Sequence, residues 1–231
     1  MDPQPVKVLL LSDVIVSFIY SPQVRHRFPD VDLLIGCGDL AYYYLEYVLN
    51  ALDIPCFFVR GNHDKIVEYS LEAQRTSPNG AKNLHLRATD YRGLLFAGIE
   101  GSLRYRIGPY QYTQSQMWNH VFRLVPNLFI NRMRYGRFLD VFITHSPPAG
   151  IHDLPDLPHQ GIKAFRWFLQ VFKPAYHFHG HVHVYRPDTV VETTFSQTKV
   201  ANAFGYREML LSLDSLPPRM ANAEKELEQN V

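Results

Sequence analysis

Apolar residues in this chain come in short continuous runs, each ended by a polar or glycine-containing loop. Val6–Leu11 ends at Ser12-Asp13, Val31–Ile35 at Gly36-Cys37-Gly38-Asp39, and Ile54–Val59 at Arg60-Gly61-Asn62-His63-Asp64. Continuous rather than alternating hydrophobicity predicts strands buried on both faces, and helical stretches between them, notably Ala41–Leu52, predict parallel pairing. The middle of the chain reads differently. Asn83–Arg87 and Leu94–Ile99, separated by a loop containing Asp90-Tyr91-Arg92-Gly93, predict a hairpin, and Thr113–Arg134 predicts a helix interrupted near Pro126. The strand pattern then resumes. Leu139–Ile143 ends at Thr144-His145-Ser146-Pro147-Pro148, Ile162–Phe172 is an amphipathic helix, and Ala175–Phe178 ends at His179-Gly180-His181-Val182-His183. Val190–Thr194, Lys199–Ala203 and Met209–Leu213 predict three more strands, and the polar segment 217–231 reads as a frayed tail.

Length bounds this to one large α/β domain, residues 1–216, because 231 residues are too few for two comfortable ones. The formal net charge of +1 argues against a dedicated nucleic-acid binder, which would be strongly basic. Cys37 and Cys56 lie in or beside apolar runs and read as reduced core thiols. The first apolar run is too short for a secretory leader, and no stretch approaches the roughly 18 uncharged apolar residues of a membrane span. A cytoplasmic protein is the expectation.

The side chains that ligate metals are not scattered. Asp13, Asp39, Asn62, His63, Asp64, His145, His181 and His183 all fall at or just past the C-terminal end of a predicted strand, the edge of an α/β sheet where ligands bind. A two-metal hydrolase needs a bridging carboxylate, oxygen and nitrogen ligands on each side, and an activated water. Carboxylates are available from Asp13 and Asp39, an amide oxygen from Asn62, and imidazoles from His145, His181 and His183. His63 and Arg60 remain for the phosphate and the leaving group. Each piece alone has an ordinary reading as a cap, turn or loop residue; the order and placement of all of them together carry the inference.

That order, Asp13…Gly38-Asp39…Gly61-Asn62-His63-Asp64…His145…Gly180-His181-Val182-His183, resembles the calcineurin-like metallophosphoesterases, over roughly residues 6 to 213. The resemblance implies a two-sheet β-sandwich flanked by helices, a four-layer αββα arrangement. It implies that a metal-bound hydroxide attacks a phosphate ester, most simply a phosphodiester, at a dinuclear site holding two divalent ions such as Mn²⁺, Fe, Ni²⁺ or Zn²⁺. Asp13 and His183 would hold the first ion, Asp39 would bridge, and Asn62, His145 and His181 would hold the second. His63 would contact the phosphate and assist the leaving group, with Asp64 orienting it.

One position departs from the family pattern. The first motif is Asp-x-His, and here it reads Asp13-Val14-Ile15. Ile15 has no ligand atom, so the first site is expected to be weaker, unless another group such as His179 replaces the missing imidazole. The expected partner is a small phosphate ester, with a peripheral lipid phosphate compatible and nucleic acid disfavoured. A phosphomonoesterase or a nucleotide-linked pyrophosphatase is the alternative enzyme, and a catalytically degenerate interaction module the alternative of another class. A last feature bears on substrate. From Gly101 to Leu139 there is no Asp or Glu, while arginines at 104, 106, 123, 132, 134 and 137 alternate with aromatics. This segment reads either as a basic, partly apolar cap beside the metals or as a helix whose arginines are merely solvated.

Overall fold

A computed structural model describes residues 5–69 and 74–212; the predicted polar tail lies outside these. The main elements of the first half are Val6–Ser12 (β1), Leu33–Gly36 (β2), Tyr42–Leu52 (α1), Cys56–Phe58 (β3) and Ala81–Asn83 (β4). Next come Ala88–Tyr91 (β5), Leu94–Ile99 (β6), the long helix Gln114–Tyr135 (α2) and Val141–Thr144 (β7). Lys163–Phe172 (α3), Tyr176–His179 (β8), Glu192–Phe195 (β9), Thr198–Asn202 (β10) and Gly205–Leu211 (β11) complete the main elements.

Among the described residues the strands form a five-stranded sheet ordered β11-β1-β2-β3-β4 and a six-stranded sheet ordered β9-β10-β8-β7-β6-β5. β1 through β4 pair in parallel, as do β6, β7, β8 and β10, and the remaining edge strands are antiparallel. The continuous apolar runs explain the layering. Val8 and Leu10 of β1, Ile35 of β2, Phe96 of β6 and Ile143 of β7 share the core between the sheets. Leu9, Leu11 and Leu34 point the other way, against Tyr44, Leu45 and Val48 of α1. Leu95, Ala97 and Phe142 meet Met117, Val121 and Leu124 of α2 and Phe165 and Phe168 of α3. Every central strand is buried on both faces, as alternating side-chain direction requires when both faces are covered. The result is the expected four-layer αββα sandwich.

Three local expectations are corrected. Residues 83–87 are not the hairpin partner of β6: Asn83 ends β4, which extends the first sheet in parallel with β3, and the partner of β6 is β5, residues 88–91, through a turn in which Arg92 and Gly93 both have positive φ. Helix α2 is not interrupted at Pro126, which is exposed, so the carbonyl of Phe122 that loses its intrahelical donor can face water. The arginine-rich segment 101–139 is not a helical cap over the strand ends. Its helix, started by the Thr113–Gln116 capping box and stopped by Gly136, is an outer layer of the second sheet, and the loop before it, 101–112, reaches the metal-type residues.

His177 of β8 faces that outer layer. It is fully buried, stacks on Phe142, and donates from Nε2 to Thr144 Oγ1 at 2.8 Å, since the Thr144 hydroxyl hydrogen is spent on Ser146 O. Burial pushes its pKa down to about 3, whereas in an unfolded chain it titrates near ~6.5. The unfolded state therefore binds a proton that the folded state refuses between these values. Stability attributable to His177 is complete above about pH 6.5 and falls as the pH drops toward about 3, at up to about 1.4 kcal/mol per unit. His177→Gln keeps a donor without a titrating ring. Denaturant unfolding at about pH 7.5 and about pH 5 should show a smaller acid loss in this variant than in the wild type; equal losses would contradict the assignment.

Candidate metal centre

The predicted ligands converge at the C-terminal ends of the parallel strands of both sheets. Asp13 follows β1, Asp39 follows β2, Asn62 follows β3, His145 follows β7, and His181 and His183 follow β8. The turns that carry them are sharp. Asp13, Asp39 and His181 have φ of 69°, 56° and 68°, a left-handed conformation uncommon for residues other than glycine and concentrated at functional sites. The loops also lie on one another. Asp13 N donates to Gly38 O at 3.2 Å and Gly180 N to His145 O at 2.9 Å. A Cβ on Gly61 would fall on the Asp39 carboxylate, and one on Gly180 would fall on Ser12 Oγ, so both positions require glycine for close approach.

At the centre, Asp39, His145 and His181 bring one ligand atom each within 4.8 Å of one another. His145 Nδ1 lies 2.8 Å from Cys37 O, and His181 Nε2 lies 2.7 Å from Pro158 O. A carbonyl only accepts, so both ring hydrogens sit on these outer nitrogens. The inner nitrogens, His145 Nε2 and His181 Nδ1, then face each other at 3.1 Å as two lone pairs. With both imidazoles neutral, Asn62 Oδ1 at 3.1 Å and Asp39 Oδ2 at 3.3 Å from His145 Nε2 complete a ring of acceptors with no hydrogen among them. A proton on His145 or a metal cation relieves such a set, and carboxylate, amide and imidazole donors suit a divalent ion of the first transition row. The residues fit the group.

The electrostatics agree. Burial opposes charge on His145, yet the Asp39 carboxylate outweighs it and pushes His145 up to about 9. Asp39 is itself drawn down to about 2, because the His145 charge overcomes burial. His181 is pushed down to about 3 by burial and by His145. One proton thus occupies the place that a cation would take.

The other predicted residues fall into two groups. The Asp13 side chain is buried, its carboxylate accepting from His181 N at 3.0 and 3.2 Å, and burial raises its pKa. His183 is half exposed, with Nε2 3.7 Å from Asp13 Oδ1 and Nδ1 2.7 Å from Tyr185 Oη. Ile15 is exposed beside this looser pair. His179 does not replace a ligand: it is buried, with Nε2 3.0 Å from His152 Nδ1 and Nδ1 3.0 Å from Gly180 O.

One role implied by the resemblance, that of Asp64, and one read from the residues, that of Arg60, need correction. Asp64 does not touch His63. Its carboxylate accepts from Gly61 N, Leu40 N and Asp39 N at 2.7, 3.0 and 3.3 Å, which ties the loop after β2 to the loop after β3. Burial, then the Asp39 charge, pushes it up to about 7. Arg60 does not point at the site either. It is bonded to Tyr42 Oη and Thr76 O and pairs with the buried Glu100 at 3.5 Å. His63 is exposed at the site, and its partners are Tyr105 Oη at 3.3 Å and Arg106 Nη2 at 3.0 Å. Sequence reasoning did not single out these two; their only signal was membership of the acid-free, arginine-rich stretch.

Because His145 carries a proton where a cation binds, loading the second site near pH 7 should release about one proton. Calorimetry of Mn²⁺ or Zn²⁺ binding in buffers of different ionisation enthalpy measures this directly; heats independent of the buffer would refute it. Asp39→Ala should abolish tight binding altogether.

The profile of the calcineurin-like phosphoesterases matches residues 6–185. No match is found among curated proteins. Among solved structures, TT1561 of Thermus thermophilus is 13% identical and superposes with a TM-score of 0.59 over 90% of this chain and 99% of its own. Another solved chain, 16% identical, gives 0.60 over the same shares. Vacuolar Protein Sorting 29 from Cryptosporidium parvum, 12% identical over 90% of this chain and 86% of its own, gives only 0.43. At such identities the structural likeness speaks to the fold alone, whereas the profile spans most of the chain, including the residues that form the acceptor ring. The chain belongs to the calcineurin-like phosphoesterase family, whose members hydrolyse phosphoesters with divalent metal ions.

Proposed function

We propose that this chain hydrolyses a phosphodiester at a dinuclear metal site. The observation that carries the metal part is the convergence of inward-facing carboxylate, amide and imidazole acceptors around His145 Nε2 and His181 Nδ1. Divalent ions held there would supply an acidified water and would neutralise charge on the phosphoryl oxygens. The protein's own residues do the rest. Asp39 turns Oδ2 to His145, while its Oδ1 accepts from His63 N at 2.7 Å. Cys37 O and Pro158 O keep the two imidazoles in the ligating tautomer, as outer hydrogen bonds to metal-bound histidines do. Asn62, His145 and His181 would hold the second ion. Asp13 and His183 would hold the first, with Asp39 shared.

The choice of a diester rests on charge. A monoester dianion needs more positive charge around the phosphate than a diester monoanion does. Arg60 is neutralised by Glu100, which leaves Arg106 as the arginine beside His63, with Lys65 farther along the cleft. An open cleft of about 500 Å³ runs from Asp39 and His63 past Lys65 to Tyr20, Tyr43 and Tyr69. These tyrosines are substantially exposed and offer ring faces on which a planar substituent such as an aryl group or base can stack. The cleft accommodates the organic part of the ester.

With Mn²⁺ supplied, bis(4-nitrophenyl) phosphate should be turned over with a higher kcat/KM than 4-nitrophenyl phosphate. A preference for the monoester would overturn the diester reading, and no metal-dependent turnover of either would favour a non-catalytic module. Metal titration of the wild type should reveal two unequal sites, because Ile15 supplies no ligand and the Asp13–His183 pair is loose. Ile15→His should tighten the weaker site. Two equally tight sites in the wild type would contradict this.

A further inference from the structure

We propose that Tyr105 is a phosphoryl-binding residue of this site, and that Arg106 sets the tautomer of His63 that aims the tyrosine hydroxyl at the substrate. Tyr105 and Arg106 lie in the loop before α2, where Gln111 holds them. Its Oε1 accepts from both backbone amides, at 3.4 and 3.3 Å, and its side chain is buried. Arg104 clamps Gln111 in turn through its carbonyl. The pair is therefore positioned by a built support rather than left on a free loop.

Hydrogen counting gives the roles. A guanidinium has only donors. Arg106 Nη2, 3.0 Å from His63 Nδ1, therefore donates to it, and the Nδ1 lone pair is used. The ring hydrogen of His63 then sits on Nε2, which lies 3.3 Å from Tyr105 Oη and donates to it. Asn62, with Oδ1 on the cation side, turns Nδ2 to the same oxygen at 3.2 Å. A phenolic oxygen has two lone pairs and one hydrogen. Both lone pairs of Tyr105 are taken by Asn62 and His63, so its hydrogen is left over, and no described residue accepts it. A hydrogen without an acceptor, beside Asn62, which the proposed function assigns to the second ion, is placed to bind a phosphoryl oxygen. Arg106 lies over the Tyr105 ring, 5.4 Å from its centroid, so it supplies positive charge on the same side. In this arrangement His63 is a positioning residue: its Nε2 hydrogen is engaged with Tyr105.

The inference rests on the phosphoesterase reading for its ligand but not for its tautomer, so the two can fail separately. In the ¹⁵N-labelled, metal-free protein at about pH 7.5, the imidazole nitrogens of His63 report protonation directly. The expected result is hydrogen on Nε2 and none on Nδ1 in the wild type, and loss of that preference in Arg106→Met. A wild-type Nδ1–H would overturn the role of Arg106. In the Mn²⁺-loaded protein, Tyr105→Phe should keep its metal content and lose about 10-fold to 100-fold in affinity for inorganic phosphate, the effect of one hydrogen bond to a charged group. Unchanged phosphate affinity would overturn the role of Tyr105. Loss of metal from Tyr105→Phe would do the same, since it would make the tyrosine a prop for Asn62 rather than a contact for substrate. If the loaded wild type binds no phosphate at all, the phosphoryl-binding role falls with the phosphoesterase reading, and the His63 spectrum still decides the role of Arg106.

Discussion

The candidate metal centre depends on which nitrogen of two imidazoles faces inward. His145 and His181 are each held from behind by a backbone carbonyl, Cys37 O and Pro158 O, and that places their lone pairs inward and opposed at 3.1 Å. The arrangement is unfavourable unless something positive lies between them. Cys37 belongs to the loop after β2 and Pro158 to a long loop after β7, so the tautomers are set by elements of both sheets. The sandwich therefore does more than display ligands. It decides which nitrogen of each ring can bind.

Convergence at one edge has a backbone cost that the fold meets locally. Three of the metal-type residues adopt a left-handed conformation, each at about 1–3 kcal/mol if uncompensated. The compensation is visible. Asp64, almost wholly buried, gives both carboxylate oxygens to amides of the two loops, and the Asp13 carboxylate accepts from His181 N across the two sheets. These carboxylates hold their loops by charge-assisted bonds to N–H groups. For Asp64 this is a structural task in place of the one inferred from the motif.

What was legible in the sequence follows from what sequence patterns encode. The strands and their two-sided burial were readable because Val8–Leu11 and Leu94–Ile99 are continuous apolar runs. The metal-type residues stood out because they end such runs. The pairing of residues 81–83 was not readable, since three residues of mixed polarity carry no periodicity and their partner β3 is set by the crossover. Pro126 misled because its effect depends on whether the carbonyl it frees meets solvent, a tertiary fact. Asp64 and Arg60 misled for a related reason. Adjacency in Arg60-Gly61-Asn62-His63-Asp64 suggests a shared task, but a tight turn sends successive side chains in different directions. Arg60 leaves toward Glu100, Asp64 turns back to Asp39 and Leu40, and His63 alone stays exposed at the site.

Arg60 and Arg106 show how the fold allots its positive charge. Arg60 adjoins the motif but is half buried, held over the rings of Phe58 and Tyr110 and paired with Glu100, which Tyr112 also contacts. Its charge is cancelled by a buried carboxylate, so it braces the strand end against the 101–112 loop. Arg106 comes from that loop, has His63 Nδ1 and the Tyr105 ring as neighbours, and has no carboxylate within ion-pair distance among the described residues. An anion approaching the strand ends therefore meets the field of the loop arginine rather than that of the motif arginine. The acid-free composition of 101–139 matters for this reason. Other arginines of this segment are engaged elsewhere, Arg132 at the helix end with Gly136 and Arg137 with Asp140 and Gly93, and a nearby Asp or Glu in the 101–112 loop would cancel Arg106 as Glu100 cancels Arg60.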